Sequence, residues 1–131
     1  EVEFWIQAFS VQGIQSYVLD GVTKTLNKLI ARNLIDLSDG RISARFETVT
    51  QNASGEWKEK FKLEINNMDG GGTYVSLSGG AKRRVDLAVA LGVSEYKRSL
   101  ALKELDFLVL DEATSGMDEY WNERFVTILL A

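Results

Sequence analysis

From Ser10 to Leu37 the apolar residues Ile14, Val18, Val22, Leu26, Leu29, Ile30, Leu34 and Leu37 recur every three or four positions, which lines one face of a helix. The spacing predicts one long N-terminal helix over 10–37, with Ser10 as its N-cap. Gly13 and Gly21 fall inside it and each costs about 1 kcal/mol relative to alanine, which leaves a break near either open. Residues 1–9 read as the end of a preceding helix, either the end of a coiled coil or an entry helix. The period then changes to two. Ile42, Ala44 and Phe46 alternate with Ser43, Arg45 and Glu47, and Phe61, Leu63 and Ile65 alternate with Lys60, Lys62 and Glu64. Two half-buried strands follow, and the turn-like composition of 51–56 makes them an antiparallel pair.

A loop over 66–73 with three consecutive glycines precedes Ser78, which caps a predicted helix running to about Val93. Val85, Ala88, Val89 and Gly92 form its packed side. Residues 94–104 read as a further short helix with a basic exposed face. Residues 106–110 are apolar after one acid, short enough for a strand covered on both faces. A terminal helix over 119–131 packs through Tyr120, Trp121, Phe125, Ile128 and Leu129.

The chain has 131 residues, 45% of them hydrophobic, enough for one core and too few for a second independent domain. It is therefore expected to be a single lobe over 1–131. It starts at Glu1 and its last apolar pattern runs up to Ala131, so a piece of a longer protein is expected. The formal charge of −4 gives no basic field for gripping nucleic acid unaided. With no cysteine and no histidine, disulfides, thiol nucleophiles and His-dependent triads are excluded, and carboxylates and lysines are left for chemistry. No apolar run is long enough to span a bilayer, and the expected location is cytoplasmic.

Two constellations carry the candidate chemistry. In Ser78-Gly79-Gly80 a hydroxyl sits at a helix start, and two glycines let an anion approach the backbone amides. Lys82, Arg83 and Arg84 follow at the helix end whose dipole disfavours cations, which suggests a bound anion or an acidic partner. The competing account is an ordinary capped helix whose cations point into water. In the second, Asp111 and Glu112 end the predicted strand. Asp111 suits a Mg²⁺ shell and Glu112 a general base for an attacking water; a polar strand end before a helix cap is the plainer alternative. No Gly-Lys dipeptide occurs, so the chain lacks a phosphate loop of the G-x-x-x-x-G-K-[ST] kind.

Together, Leu77-Ser-Gly-Gly80, Phe107-Leu-Val-Leu-Asp-Glu112 and Ser115-Gly-Met-Asp118 resemble the signature motif, Walker B strand and D-loop of the ABC ATPase superfamily. Residues 4–25 and Leu37-Ser-Asp-Gly-Arg-Ile42 resemble the segment after the coiled coil in SbcC-type, SMC-like DNA-repair ATPases. The resemblance implies an α/β fold: the C-terminal lobe of a P-loop ABC-type ATPase head, with a long N-terminal helix, an antiparallel strand pair, a signature helix and a Walker B strand. It implies ATP and Mg²⁺ as ligands. Ser78, Gly79 and Gly80 would contact the γ-phosphate held by a second copy of the head, Asp118 would lie across that interface, and Asp111 (metal) and Glu112 (catalytic) would serve the head's own nucleotide. The implied partners are an N-terminal lobe carrying Walker A, the second head, an SbcD-type nuclease subunit and DNA through the assembled complex, in a prokaryotic or phage-infected cell and with no membrane. Such a piece would be inactive alone. Two departures stand out: Ala81 occupies a signature position that usually holds Glu or Gln, and the switch histidine would lie past Ala131.

Other readings stay open on the residues. A transporter nucleotide-binding domain fragment, or an interaction module that keeps the fold without turnover, would share the motifs. Gly70–Gly72 suits either a flexible loop or a phosphate approach; Lys97, Arg98 and Lys103 either a solvated face or a DNA backbone. Trp5 and Phe9 suit either core packing or a partner subunit.

Overall fold

A computed structural model describes residues 2–9, 14, 16–51, 57–101 and 108–130. They form a mixed α/β arrangement: helix α1 (Val2–Ala8), helix α2 (Ser16–Ser38), strands β1 (Ile42–Gln51) and β2 (Trp57–Asn67), helix α3 (Gly79–Leu100) and helix α4 (Glu119–Leu129). The strands form a two-stranded antiparallel sheet in which Ala44 faces Ile65 and Phe46 faces Leu63, with a shift of register between Glu47 and Val49.

Only the C-terminal half of the period-three-and-four stripe becomes the buried face of α2; Ile14 and Val18, before the point where the sheet and α3 cover the helix, are 48% and 56% exposed. Leu26, Ile30, Leu34 and Leu37 are buried there and meet Ile42, Ala44 and Ile65 from the sheet, Val85, Ala88 and Leu91 from α3, and Phe125 from α4. At the crossing of α2 and α3, a β-carbon built on Gly92 would stand 3.0 Å from Ile30 Cγ1 and 3.3 Å from the Ile30 backbone nitrogen. Only a glycine lets the two backbones come this close without displacing Ile30. Gly21 lies on an exposed part of α2 with nothing within 4 Å, and the helix runs through it without a break.

Polar groups fix the hairpin to α2. Asn27 Nδ2 donates to the Phe46 carbonyl at 2.9 Å and Asn27 Oδ1 accepts from the Phe46 amide at 2.7 Å, so one side chain satisfies both backbone groups at that point of β1. Buried Ser38 ends α2 by donating to the Leu34 carbonyl at 2.6 Å and accepting from the Ile42 amide at 3.1 Å. Asp39 and Gly40 then take left-handed conformations, φ 49° and 72°, to reverse the chain into β1. Asp39 also fastens α4: its carboxylate accepts from the Tyr120 hydroxyl at 2.9 Å and from the Arg124 guanidinium. The Tyr120 hydrogen bond is the first cause holding the Asp39 carboxyl below its ordinary value, with Arg124 adding to it.

The sequence expectations need several corrections. Residues 79–100 form one uninterrupted helix where two were expected; Ser94 continues it, because Gly92 is packed inside the α2 crossing and does not terminate it. The expected Walker B strand is not formed over Leu108–Leu110. These residues take no regular structure and are 49%, 81% and 40% exposed, since the strands among the described residues pair only with each other and offer no ladder to join. The rest of that predicted strand, Asp106 and Phe107, lies outside the described residues, as do Ser10, Gly13, Lys103 and the 52–56 turn. Phe61 belongs to β2, its side chain outside the described set. The long helix begins at Ser16. The glycine loop is a built turn: Gly70 and Gly71 have φ 97° and 93°, and a β-carbon on Gly71 would meet Ser76 Oγ at 2.9 Å. Trp5 and Phe9 stack on each other with ring centroids 6.0 Å apart and are exposed, so they join no core among the described residues.

The two helical glycines should respond in opposite directions. Gly92→Val is expected to destabilise by about 1–3 kcal/mol through overpacking, whereas Gly21→Ala should stabilise by about 0.5–1 kcal/mol; urea unfolding of both variants checks the signs. A second prediction concerns acid. Because the Asp39 pKa is lowered in the folded state, its contribution is fully present above the ordinary carboxylate range, about pH 4. It is lost as the pH falls through the lowered value. Asp39→Asn keeps a side chain tolerant of positive φ, so its unfolding midpoint should fall less between pH 7 and pH 3 than that of the unchanged chain, by a margin that shrinks with salt.

Candidate functional site

The start of α3 is built from the residues that precede it. Thr73 and Ser76 close a short 3₁₀ turn over Tyr74–Ser76 through reciprocal hydrogen bonds, Thr73 N to Ser76 Oγ at 3.2 Å and Ser76 Oγ to Thr73 O at 2.7 Å. Leu77 is buried, which seats the chain on the core before the helix begins. Ser78 then adopts an extended conformation, φ −62° and ψ 160°, and its Oγ accepts from the Ala81 amide at 3.3 Å. This is an N-cap, so in the unliganded chain the hydroxyl is already engaged with the helix it starts. No atom outside the local chain lies within 4 Å of where a β-carbon on Gly79 would stand, whereas a β-carbon on Gly80 would meet the Gly116 carbonyl at 3.9 Å. Ala81 is 2% exposed and part of the core. Its methyl therefore suits packing, and a side chain turned into the core at this position cannot reach a ligand.

The 111–118 segment is a succession of turns. Glu112 has a left-handed backbone, φ 46°, and Gly116 follows with φ 79°. The Ser115 amide donates to the Glu112 carbonyl at 3.0 Å and the Met117 amide to the Thr114 carbonyl at 3.0 Å. Asp118 then caps α4, its carboxylate accepting from the Trp121 amide at 3.1 Å. For a residue with a β-carbon the left-handed region costs about 1–2 kcal/mol, so Glu112 is held there by its neighbours.

Arg83 is one of those neighbours: its guanidinium donates to the Glu112 carbonyl. Arg84, on the adjacent position of α3, lies 4.4 Å from the Trp121 ring centre. Burial pushes the Arg84 guanidinium down from its ordinary value, and the charge of Asp118 opposes that shift. Lys82 stands 5.9 Å from the Tyr74 ring centre. The three cations at the helix start are thus neither bare nor simply solvated; each has a partner within the chain.

Gly79, Lys82 and Arg83 from α3 meet Glu112, Ser115 and Gly116 around one open depression of about 440 Å³, which Tyr74 and Asp86 also line. The Tyr74 hydroxyl donates to both Asp86 oxygens, at 2.8 and 2.9 Å, which pushes the phenol up from its ordinary value. The structure therefore brings Gly79 and Glu112 to the same rim. Ser78 and Gly80 flank it through the helix start and the Gly116 contact. Asp111 is exposed beside Glu112 and does not line the depression, and Asp118 is engaged as a cap. Among the described residues no group of three or more His, Cys, Asp or Glu side chains is placed to hold a metal ion. No described helix is long and apolar enough to cross a membrane.

Sequence reasoning placed weight on Lys82, Arg83 and Arg84 as a charge block and did not foresee their separate partners. Tyr74 and Asp86 were also missed, since twelve residues separate them. Tyr120 and Arg124, four apart on one face of α4, carried a readable signal for a shared acidic partner. No protein-family model matches the chain, and a search of curated proteins finds no match.

The cap gives a direct test of the local geometry. Ser78→Ala is expected to destabilise the chain by about 1 kcal/mol, with Ser78→Asn close to unchanged; thermal unfolding of the two variants distinguishes a capping hydroxyl from an idle one.

Proposed function

We propose that the chain is the C-terminal lobe of an SbcC-type, SMC-like ABC ATPase head, which binds and hydrolyses ATP once an N-terminal lobe supplies the phosphate loop. The observation that carries this reading is the meeting of the serine-capped Gly79–Gly80 helix start with the Glu112–Gly116 turn at one depression. Free amides of a helix start suit the phosphate oxygens of a second copy's nucleotide, and the turn packed against them carries Glu112, whose carboxylate suits water activation at the head's own nucleotide. The exposed apolar segment Leu108–Leu110 adds support, because three apolar residues in water fit a strand completed by another lobe's sheet.

In that head Ser78, Gly79 and Gly80 donate to the γ-phosphate presented by a second copy, and Asp118 lies at the junction of the two. Glu112 accepts the proton of the water that attacks phosphorus in line, while the bond to the ADP oxygen breaks. A magnesium ion fits Asp111 in donor chemistry, since such ions use one or two carboxylates and take their remaining ligands from phosphate and water. Bound there, it would supply neutralisation of phosphate charge. Engagement of two heads would then regulate an SbcD-type nuclease on DNA.

Mixing the chain with an SbcC-type N-terminal lobe is expected to yield magnesium-dependent ATP hydrolysis, with the chain alone at background. In the mixture Glu112→Gln should lower turnover by about 10²-fold or more with ATP affinity changed by less than about threefold. Strong hydrolysis by the isolated chain, or an unchanged rate in the Gln variant, would overturn the reading.

A further inference from the structure

We propose that Arg83 is a positioning residue for Glu112, so that the helix offering Gly79 and Gly80 to a phosphate also sets the conformation of the base. The role assigned to Glu112 rests on the proposed function; the conformational link between the two residues does not.

The Glu112 carbonyl takes two donors, the Ser115 amide at 3.0 Å and the Arg83 guanidinium. The amide closes the turn, and the guanidinium fixes that turn to α3. The carbonyl lies in the peptide plane that follows Glu112, so two donors at its oxygen restrict ψ of Glu112, and passage from the left-handed to the right-handed region needs ψ as well as φ to change sign. Glu112 is one of two described residues other than glycine with positive φ, and the other, Asp39, is likewise held by an arginine. In each case an arginine fastens the residue that bears the strain, through a charge-assisted bond. Arg83 and Gly79 lie in the first two turns of the same helix, and both line the depression with Glu112. A shift of the helix start toward or away from a phosphate therefore moves the donor that holds Glu112. Arg84 carries the neighbouring part of the same task, stacking on Trp121 just beyond the Asp118 cap. Two consecutive arginines thus hold the two ends of the 112–121 segment.

The test has two arms, with Arg83→Ala, Arg83→Gln and a Lys82→Ala control, each checked for helix content by circular dichroism. In the first arm, nuclear magnetic resonance on the chain itself reads the φ-dependent coupling of Glu112. The positive φ is expected in the unchanged chain and in Lys82→Ala, lost in Arg83→Ala and partly restored in Arg83→Gln, which keeps a donor. A Glu112 coupling unaffected by Arg83→Ala overturns the proposal whether or not the assembled head hydrolyses ATP. In the second arm, with the N-terminal lobe added, Arg83→Ala should lower kcat by about tenfold or more at unchanged KM, and should cause no further loss in a Glu112→Gln background. An additive loss in that background, or a raised KM with kcat unchanged, means that Arg83 does not act through Glu112 and overturns the proposal. If the unchanged head shows no turnover, the ATPase reading fails and the first arm still decides the clamp.

Discussion

The fold depends on how closely α2 and α3 cross at Ile30 and Gly92. A β-carbon at position 92 would sit 3.0 Å from the Ile30 side chain, so the missing methyl is what allows Val85, Ala88 and Leu91 to reach the buried stripe of α2. Every residue of α3 that lines the depression is hung from that contact. The helix start projects beyond it, and a register error of one residue would turn Val85 and Ala88 away from the core while rotating Ser78 and Arg83 by about 100°. Hydrophobic packing thereby sets the direction in which a polar site faces, even though no residue of that packing takes part in the site.

Polar contacts do a different job, fixing pieces that have little apolar area of their own. Among the described residues β1 pairs with β2 alone, and Asn27 supplies at Phe46 the donor and acceptor that a strand on the other side of β1 would otherwise provide. The terminal helix is fastened by Asp39, through Tyr120 and Arg124, and by Phe125, which is buried in the core. Exposed ion pairs of this sort are individually weak, typically below about 1 kcal/mol. Their value here is in direction: Asp39 at Tyr120 and Arg124, and Arg84 at Trp121, all grip the first turns of α4 and so determine where its Asp118 cap stands.

Periodicity made the second half of the α2 stripe, the two strands, the packed side of α3 and the presence of the terminal helix legible, because each buries residues against a single core, while Ile14, Val18, Tyr120 and Leu129, expected to pack, are exposed. Ser78 and Asp118 were also legible, one as a cap and the other as a motif residue that proves to be a cap as well. What failed to show was anything that depended on a partner remote in sequence. Residues 94–100 read as a separate helix, since serine and glycine at 92–94 resemble a boundary until Gly92 is seen wedged against Ile30. Residues 108–110 read as a covered strand, since their composition is that of a strand; whether they become one depends on a neighbouring ladder that local pattern does not encode. The pairing of Arg83 with Glu112 spans 29 residues, and a run of three cations gives no hint that each will be used differently.

The left-handed backbone at Glu112 has a consequence for how this chain tolerates change. On conformational grounds alone the position favours glycine or asparagine, and selection for stability would drive it there. Under the proposed chemistry, that drift would remove the carboxylate while improving the fold. If that chemistry holds, Glu112 is a point where thermodynamic fitness and turnover pull in opposite directions, and variants selected only for heat resistance would lose the carboxylate here.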